Sequence, residues 1–276
     1  MPVKILFVSG SINPNVAAFD AEIRYSVETT GMERVVFDHS TGQGRRGGMK
    51  YESTEQVLPF MTPFPDVEDV FDGDIDAHAR HLQPLLSVDL DAIDPGWSGK
   101  IHFVTPKEPY SGLVGEHTAK FHEYYTRENW IAFRVSGDRY TFMGDFRYFF
   151  LEDGEDEEME EHYHRVEKSL GKTRSFFEKH NILNPWGQTD NPCEWFEEMG
   201  GKPGYGNWSD ITDFPVEMEE GNDEDGDYVW PLTEDGRRFA YIGCVAGYAY
   251  RQGGANGILL FYDPVEKIAL ITFDWS

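Results

Sequence analysis

Short apolar runs, each broken by Gly, Pro, Asn or Asp, recur along the whole chain. This rhythm favours β-strands over long helices. Such runs cover residues 3–8, 23–27, 34–37, 85–90, 100–104, 130–135, 140–150, 239–247, 257–262 and 267–273. Tyr140-Thr141-Phe142-Met143 alternates at period two, as a half-buried strand does. The 28 Gly and 15 Pro supply the intervening turns.

One segment departs from this rhythm. Between 156 and 180, Met159, Tyr163, Val166, Leu170 and Phe177 recur at spacings of 4, 3, 4 and 7, which places them on one helix face. Acidic residues crowd the first turn and Lys179 and His180 close the last, matching the helix dipole. Shorter helices are expected at 53–60, where Ser53 caps with Gln56 three residues on, and at 75–84. The expected fold is α+β: one domain over 1–276, mostly antiparallel and sandwich-like, with one long amphipathic helix near 156–180. The stretch 181–205 is the place where an N-terminal part (1–180) and a C-terminal sheet (181–276) would divide. Its Trp186, Trp195 and Phe196 call for burial, so it is not expected to be a free linker.

Charge limits the partners. Asp and Glu number 50 against 24 Lys and Arg, a net charge of −26. That sign repels nucleic acid and anionic membranes and favours a basic protein. With 15% aromatic residues the chain is expected to fold around a core. Cys193 and Cys244 lack metal-site spacing and read as reduced thiols, and the short apolar start lacks a secretion signal, so a cytoplasmic protein is expected. The acid is concentrated in two blocks. The first, 152–161, overlaps the helix start and contains Glu157 and Glu158. The second comprises Glu217, Glu219, Glu220, Asp223, Glu224, Asp225 and Asp227. It has no helical period and reads as a loop beside Trp230. It is the preferred partner-binding surface, with Trp186, Trp195, Trp208 and Trp230 as aromatic anchors.

Signatures of chemistry are sparse. Gly42-x-Gly44-x-x-Gly47 and Ser9-Gly10-Ser11 echo phosphate loops but lack the alternating βαβ pattern. No cofactor is expected. A divalent metal has one main candidate run, Asp72, Asp74, Asp76, His78 and His81, where carboxylates precede two imidazoles on one helix face. Asp223, Asp225, Asp227 and Glu234 approach a calcium loop, but Tyr228 stands where Gly is required.

Two strand pairs echo each other: 85–90 with 99–104, and 241–247 with 257–264. With the turn Gly200-Gly201-Lys202-Pro203, they make the chain over residues 80–276 resemble the YwqG-like family of β-rich bacterial proteins. The family's Trp-Gly-Asp is replaced here by Gly253-Gly254-Ala255-Asn256. The resemblance implies a sandwich-like α+β fold and, for relatives near toxin genes, an immunity role. It carries over no catalytic residue. The expected function is therefore binding, not catalysis: an acidic immunity protein that neutralises a basic toxin. The alternatives are a nucleic-acid mimic acting on a basic host protein and a metal-dependent enzyme using the 72–81 run.

Overall fold

A computed structural model describes residues 49–153, 156–210, 213–221 and 226–276. The strands expected at 3–8, 23–27 and 34–37 and both phosphate-loop echoes lie outside the described residues. The chain first forms β1 (Tyr51–Glu52), β2 (Met61–Pro63), α1 (Val67–Val70), α2 (Ile75–His81), β3 (Leu82–Asp89) and β4 (Lys100–Pro106). Next come β5 (Trp130–Ser136), β6 (Arg139–Phe142), α3 (Phe150–Asp153), α4 (Glu157–His180), β7 (Glu198–Met199) and α5 (Asn207–Asp210). It finishes with β8 (Val216–Glu219), β9 (Tyr228–Pro231), β10 (Ala240–Val245), α6 (Gly247–Tyr250), β11 (Gly257–Asp263) and β12 (Ile268–Asp274).

The paired strands are antiparallel. Seven form one sheet in the order β1-β7-β10-β11-β12-β5-β6, three form β2-β3-β4, and β8 pairs with β9. The large sheet takes strands from both sides of residue 180, so the described parts of 1–180 and 181–276 share one core rather than separating there.

Side-chain alternation divides the central strands between two cores. Ile258, Leu260, Ala269, Ile271, Ile131 and Phe133 enter the larger one. Leu259, Phe261, Ile268, Leu270, Trp130 and Ala132 enter a second on the opposite face. A strand covered on both faces reads as a continuous apolar run, which is how β11 and β12 appear in the sequence. The larger core extends to Leu86, Val88, Ile101 and Phe103, so β4 lies against β11 and β12. Both echoing pairs are hairpins with one register shift, at Pro84/Leu86 and at Tyr241/Gly243. Gly200 has φ +71°, and a Cβ there would lie 1.7 Å from the Met49 carbonyl oxygen, so the Gly-Gly-x-Pro turn requires glycine where β1 meets β7.

The long helix follows its sequence pattern. Asp156 caps it by accepting from Met159 N at 2.9 Å, and Asn181 ends it in the left-handed conformation at φ 55°. Tyr163 and Val166 are buried, while Leu170 and Phe177 pack on the larger core. No helix among the described residues is long and apolar enough to cross a membrane. Cys193 and Cys244 are both free thiols.

Several expected elements are corrected. Residues 53–60 are not helical: Ser53 Oγ donates to Glu194 at 2.6 Å, and Gln56 N donates to Thr54 Oγ1 at 3.0 Å instead of completing a capping box. The strand expected at 140–150 stops at Phe142. Asp145 then accepts from Arg147 N at 2.9 Å and starts a 3-10 turn that leads to α3. The helix expected at 75–84 stops at His81, because Leu82 begins the buried pairing of β3 with β4.

Within the 181–205 segment, Trp195 and Phe196 are fully buried, but Trp186 is 52% exposed. The Trp195 ring lies 5.8 Å from Phe64, 5.0 Å from Phe177 and 5.9 Å from Tyr250, and so joins the segment to α4 and α6. Trp195→Ala is expected to cost about 3–5 kcal/mol in urea denaturation, while Trp186→Ala changes stability by less than about 0.5 kcal/mol. Equal effects would show that this segment does not contribute to the core.

Candidate functional site

The Asp/His run does not converge on a metal. His78 Nδ1–H donates to the Asp74 carbonyl at 2.6 Å, and Nε2 accepts from Phe142 N at 3.0 Å. His81 Nδ1 meets the Tyr163 hydroxyl at 3.0 Å and Nε2 meets Glu152 at 2.9 Å. Both rings are buried and stack, His78 on Phe71 and His81 on Phe149. Asp72, Asp74 and Asp76 stay exposed, and Asp74 caps α2 by accepting from Ala77 N. Among the described residues no group of three or more His, Cys, Asp or Glu is arranged to hold a metal ion. The expected calcium loop lies partly outside the described residues, and Tyr228 begins strand β9.

The second acidic block is not simply a loop. Glu217 and Glu219 project from one side of β8, where Arg238 donates to both at 2.7 Å. Lys202 also pairs with Glu219. These hydrogen bonds hold both carboxyls below their ordinary range. Glu220 and Asp227 are exposed, Trp230 is half-buried on β9, and Asp223, Glu224 and Asp225 lie outside the described residues. Trp195 and Trp208 are buried, so neither can anchor a partner.

The first block behaves differently. Glu157, Glu158 and Glu160 are exposed in the first turn of α4, and Glu161 makes a loose pair with Arg165 at 3.7 Å. Beside this turn is a concave cleft of about 260 Å³ lined by Glu108, Glu116, Asp156 and Glu158, with Phe150 and Met159 as apolar walls. Four acidic residues, with His117, therefore line a space the size of a long side chain. Glu116 accepts from Leu113 N at 3.0 Å, Asp156 caps α4 and Glu108 accepts from Phe150 N, so three of the four are fixed by backbone donors.

Glu108 is the unusual member. It is buried at the end of β4 and accepts from Phe150 N at 3.0 Å. Burial pushes its carboxyl up to about 7, against the pull of that hydrogen bond and one from Tyr163. Its Oε2 lies 3.2 Å from the Tyr163 hydroxyl, which continues the row through His81 to Glu152, paired in turn with Arg80 at 3.0 Å. Burial holds His81 neutral, well below its usual range, so this ring has one N–H. Tyr163 O–H donates to Glu108 Oε2, and this row of contacts connects the cleft to the surface.

A second polar pair is absent from the sequence reading. Ser87 and His102 sit opposite each other on β3 and β4. Ser87 Oγ–H donates to Nδ1 at 2.7 Å, and Nε2–H donates to the Asp138 carbonyl at 2.6 Å. The geometry is that of a hydroxyl and its base. However, burial lowers His102 to about 4, too weak for general-base work at neutral pH. The pair instead ties β4 to the β5–β6 turn. Neither this pair nor Glu108 has a local sequence signature, because their partners come from other elements.

Comparison with known protein families, with curated proteins and with solved structures finds no match.

The raised Glu108 makes stability depend on pH in a defined direction. Its ordinary value is 4.5 and its folded value about 7, so the folded state keeps a proton that the unfolded chain releases in this window. The group's stabilising contribution is full below 4.5 and is lost as pH rises through about 7. Glu108→Gln lacks this titration. Urea denaturation is expected to show the variant gaining on the parent across that window, by on the order of 3 kcal/mol. A difference that does not change with pH would contradict the buried carboxyl.

Proposed function

We propose that the protein binds a basic protein partner and takes a lysine or arginine side chain of that partner into the acidic cleft beside α4. The observation that carries this reading is that Glu108, Glu116, Asp156 and Glu158 line one concavity with apolar walls. The walls suit the aliphatic stem of such a side chain and the carboxyls its cationic end. Glu157 and Glu160 extend the negative surface around the cleft and speed encounter. The second block is the poorer surface, since Arg238 and Lys202 already neutralise Glu217 and Glu219.

The resemblance to the YwqG-like family supports a toxin as that partner, neutralised in the cytoplasm. On this reading the two sheets stack as a sandwich behind the cleft. An entering cation favours the ionised form of Glu108, so binding releases its proton.

The test begins with a native pull-down at low salt and identification of retained proteins by mass spectrometry. A basic protein is expected, and its loss from the Glu157→Lys/Glu158→Lys variant by at least tenfold in affinity. Binding is expected to tighten about tenfold between about pH 6 and pH 8, as the ionised fraction of Glu108 grows, and Glu108→Gln to flatten that dependence. Absence of any basic partner, or binding indifferent to salt and to both variants, would refute the proposal.

A further inference from the structure

A second cleft lies on the other side of Tyr110, and its charge is opposite. Its volume is about 610 Å³, and its lining includes Tyr110, Ser111, His162, Arg165, Gln252 and Trp275. In a chain with 50 acidic residues, no Asp or Glu lines it. The nearest paired carboxylates stand outside: Glu161 is 3.7 Å from Arg165, and Glu167 is 3.5 Å from Lys107. Both are more than 60% exposed, so water screens them.

Arg251 provides a second, independent observation. It is fully buried directly before Gln252 and Gly253, which form part of the cleft wall. Its Nη2 donates to the Pro106 carbonyl at 3.1 Å, but Nε and Nη1 have no partner among the described residues. Burial lowers its pKa only to about 10, so it remains a cation at neutral pH. An uncompensated buried charge is costly, and its field extends far in a low-dielectric interior. The field reaches the cleft: Arg251 and Arg165 both disfavour protonation of His162, after burial. His162 Nε2–H donates to the Lys107 carbonyl at 2.9 Å, which fixes the ring in the wall.

The remaining walls define the ligand further. Tyr110 is 49% exposed, with the Arg165 guanidinium 5.7 Å from its ring centre and the His162 ring 5.5 Å away. Trp275 offers a second flat surface. Ser169 Oγ accepts from Gln252 N at 3.0 Å, leaving its proton to donate, and Gln252 Nε2 donates to the Pro185 carbonyl at 3.1 Å, leaving its oxygen as an acceptor. One contacting guanidinium and one behind the wall suit a divalent anion better than a single charge. The volume is that of a nucleotide-sized molecule, larger than a free anion needs.

We propose that this cleft binds a small phosphomonoester carrying a planar ring, with the phosphate on Arg165 in the field of Arg251 and the ring against Tyr110 and Trp275. The site shares the Pro109–Ser111 wall with the acidic cleft but does not depend on its role.

Titration calorimetry and tryptophan fluorescence of the full chain with adenosine monophosphate, adenosine and inorganic phosphate test this. Adenosine monophosphate is expected to bind at least tenfold more tightly than either fragment. Arg165→Ala, a surface change, is expected to weaken it at least tenfold while adenosine is unaffected. Arg251→Met, which keeps the volume and removes the charge, is expected to weaken it similarly, with its fold checked by circular dichroism. Nucleotide binding no tighter than adenosine or phosphate, or unchanged by Arg165→Ala, would overturn the proposal.

Discussion

Strands β11 and β12 and the Trp130–Phe133 half of β5 are covered on both faces, and the arrangement of the rest follows from that burial. Alternate side chains of each strand enter different cores, so neither core can lose a strand without opening the other. The three-stranded sheet and α4 close the larger core. Trp208, Phe214 and Val229 help to close the second. A sheet with so little wet face in its middle leaves most ionisable groups to its edges, its connections and the outer side of α4.

That exclusion arranges the charge. Acidic residues that remain near a cation are paired, as Glu217 and Glu219 are with Arg238. Those at the start of α4 stay exposed, where the helix dipole favours them. Two groups are buried and exceptional: Glu108, whose proton is retained near neutrality, and Arg251, whose charge lacks a full set of partners. Each lies beside one of two clefts that share Tyr110 as a wall, one lined by carboxyls and the other by Arg165 and His162. The segment from Pro109 to Ser111 therefore borders two clefts of opposite sign.

The parts of the fold that were legible are those with a local cause. Helix α4 could be read from the spacing of Tyr163, Val166, Leu170 and Phe177 and from its charged ends. The β3–β4 and β10–β11 hairpins could be read from apolar runs with turn residues between them. Where a residue's partner is distant in sequence, local reading failed. Ser53 looked like a helix cap because Glu194, its actual partner, is 141 residues away. His78 and His81 looked like ligands because the rings of Phe71 and Phe149 that cover them could not be placed. Glu217 and Glu219 looked free because Arg238 arrives from the approach to β10.

Composition and periodicity alone established a sheet-rich α+β chain with one amphipathic helix and a net charge of −26. These depend on properties summed along short stretches, such as apolar spacing and net charge, which the order of residues states directly. Which carboxylates remain available, which histidines are buried, and that Glu108 and Arg251 stand behind clefts of opposite sign were decided only by the packing of distant strands. Burial and hydrogen bonding change the energy of a charge, and both are set by neighbours that only the folded chain brings together.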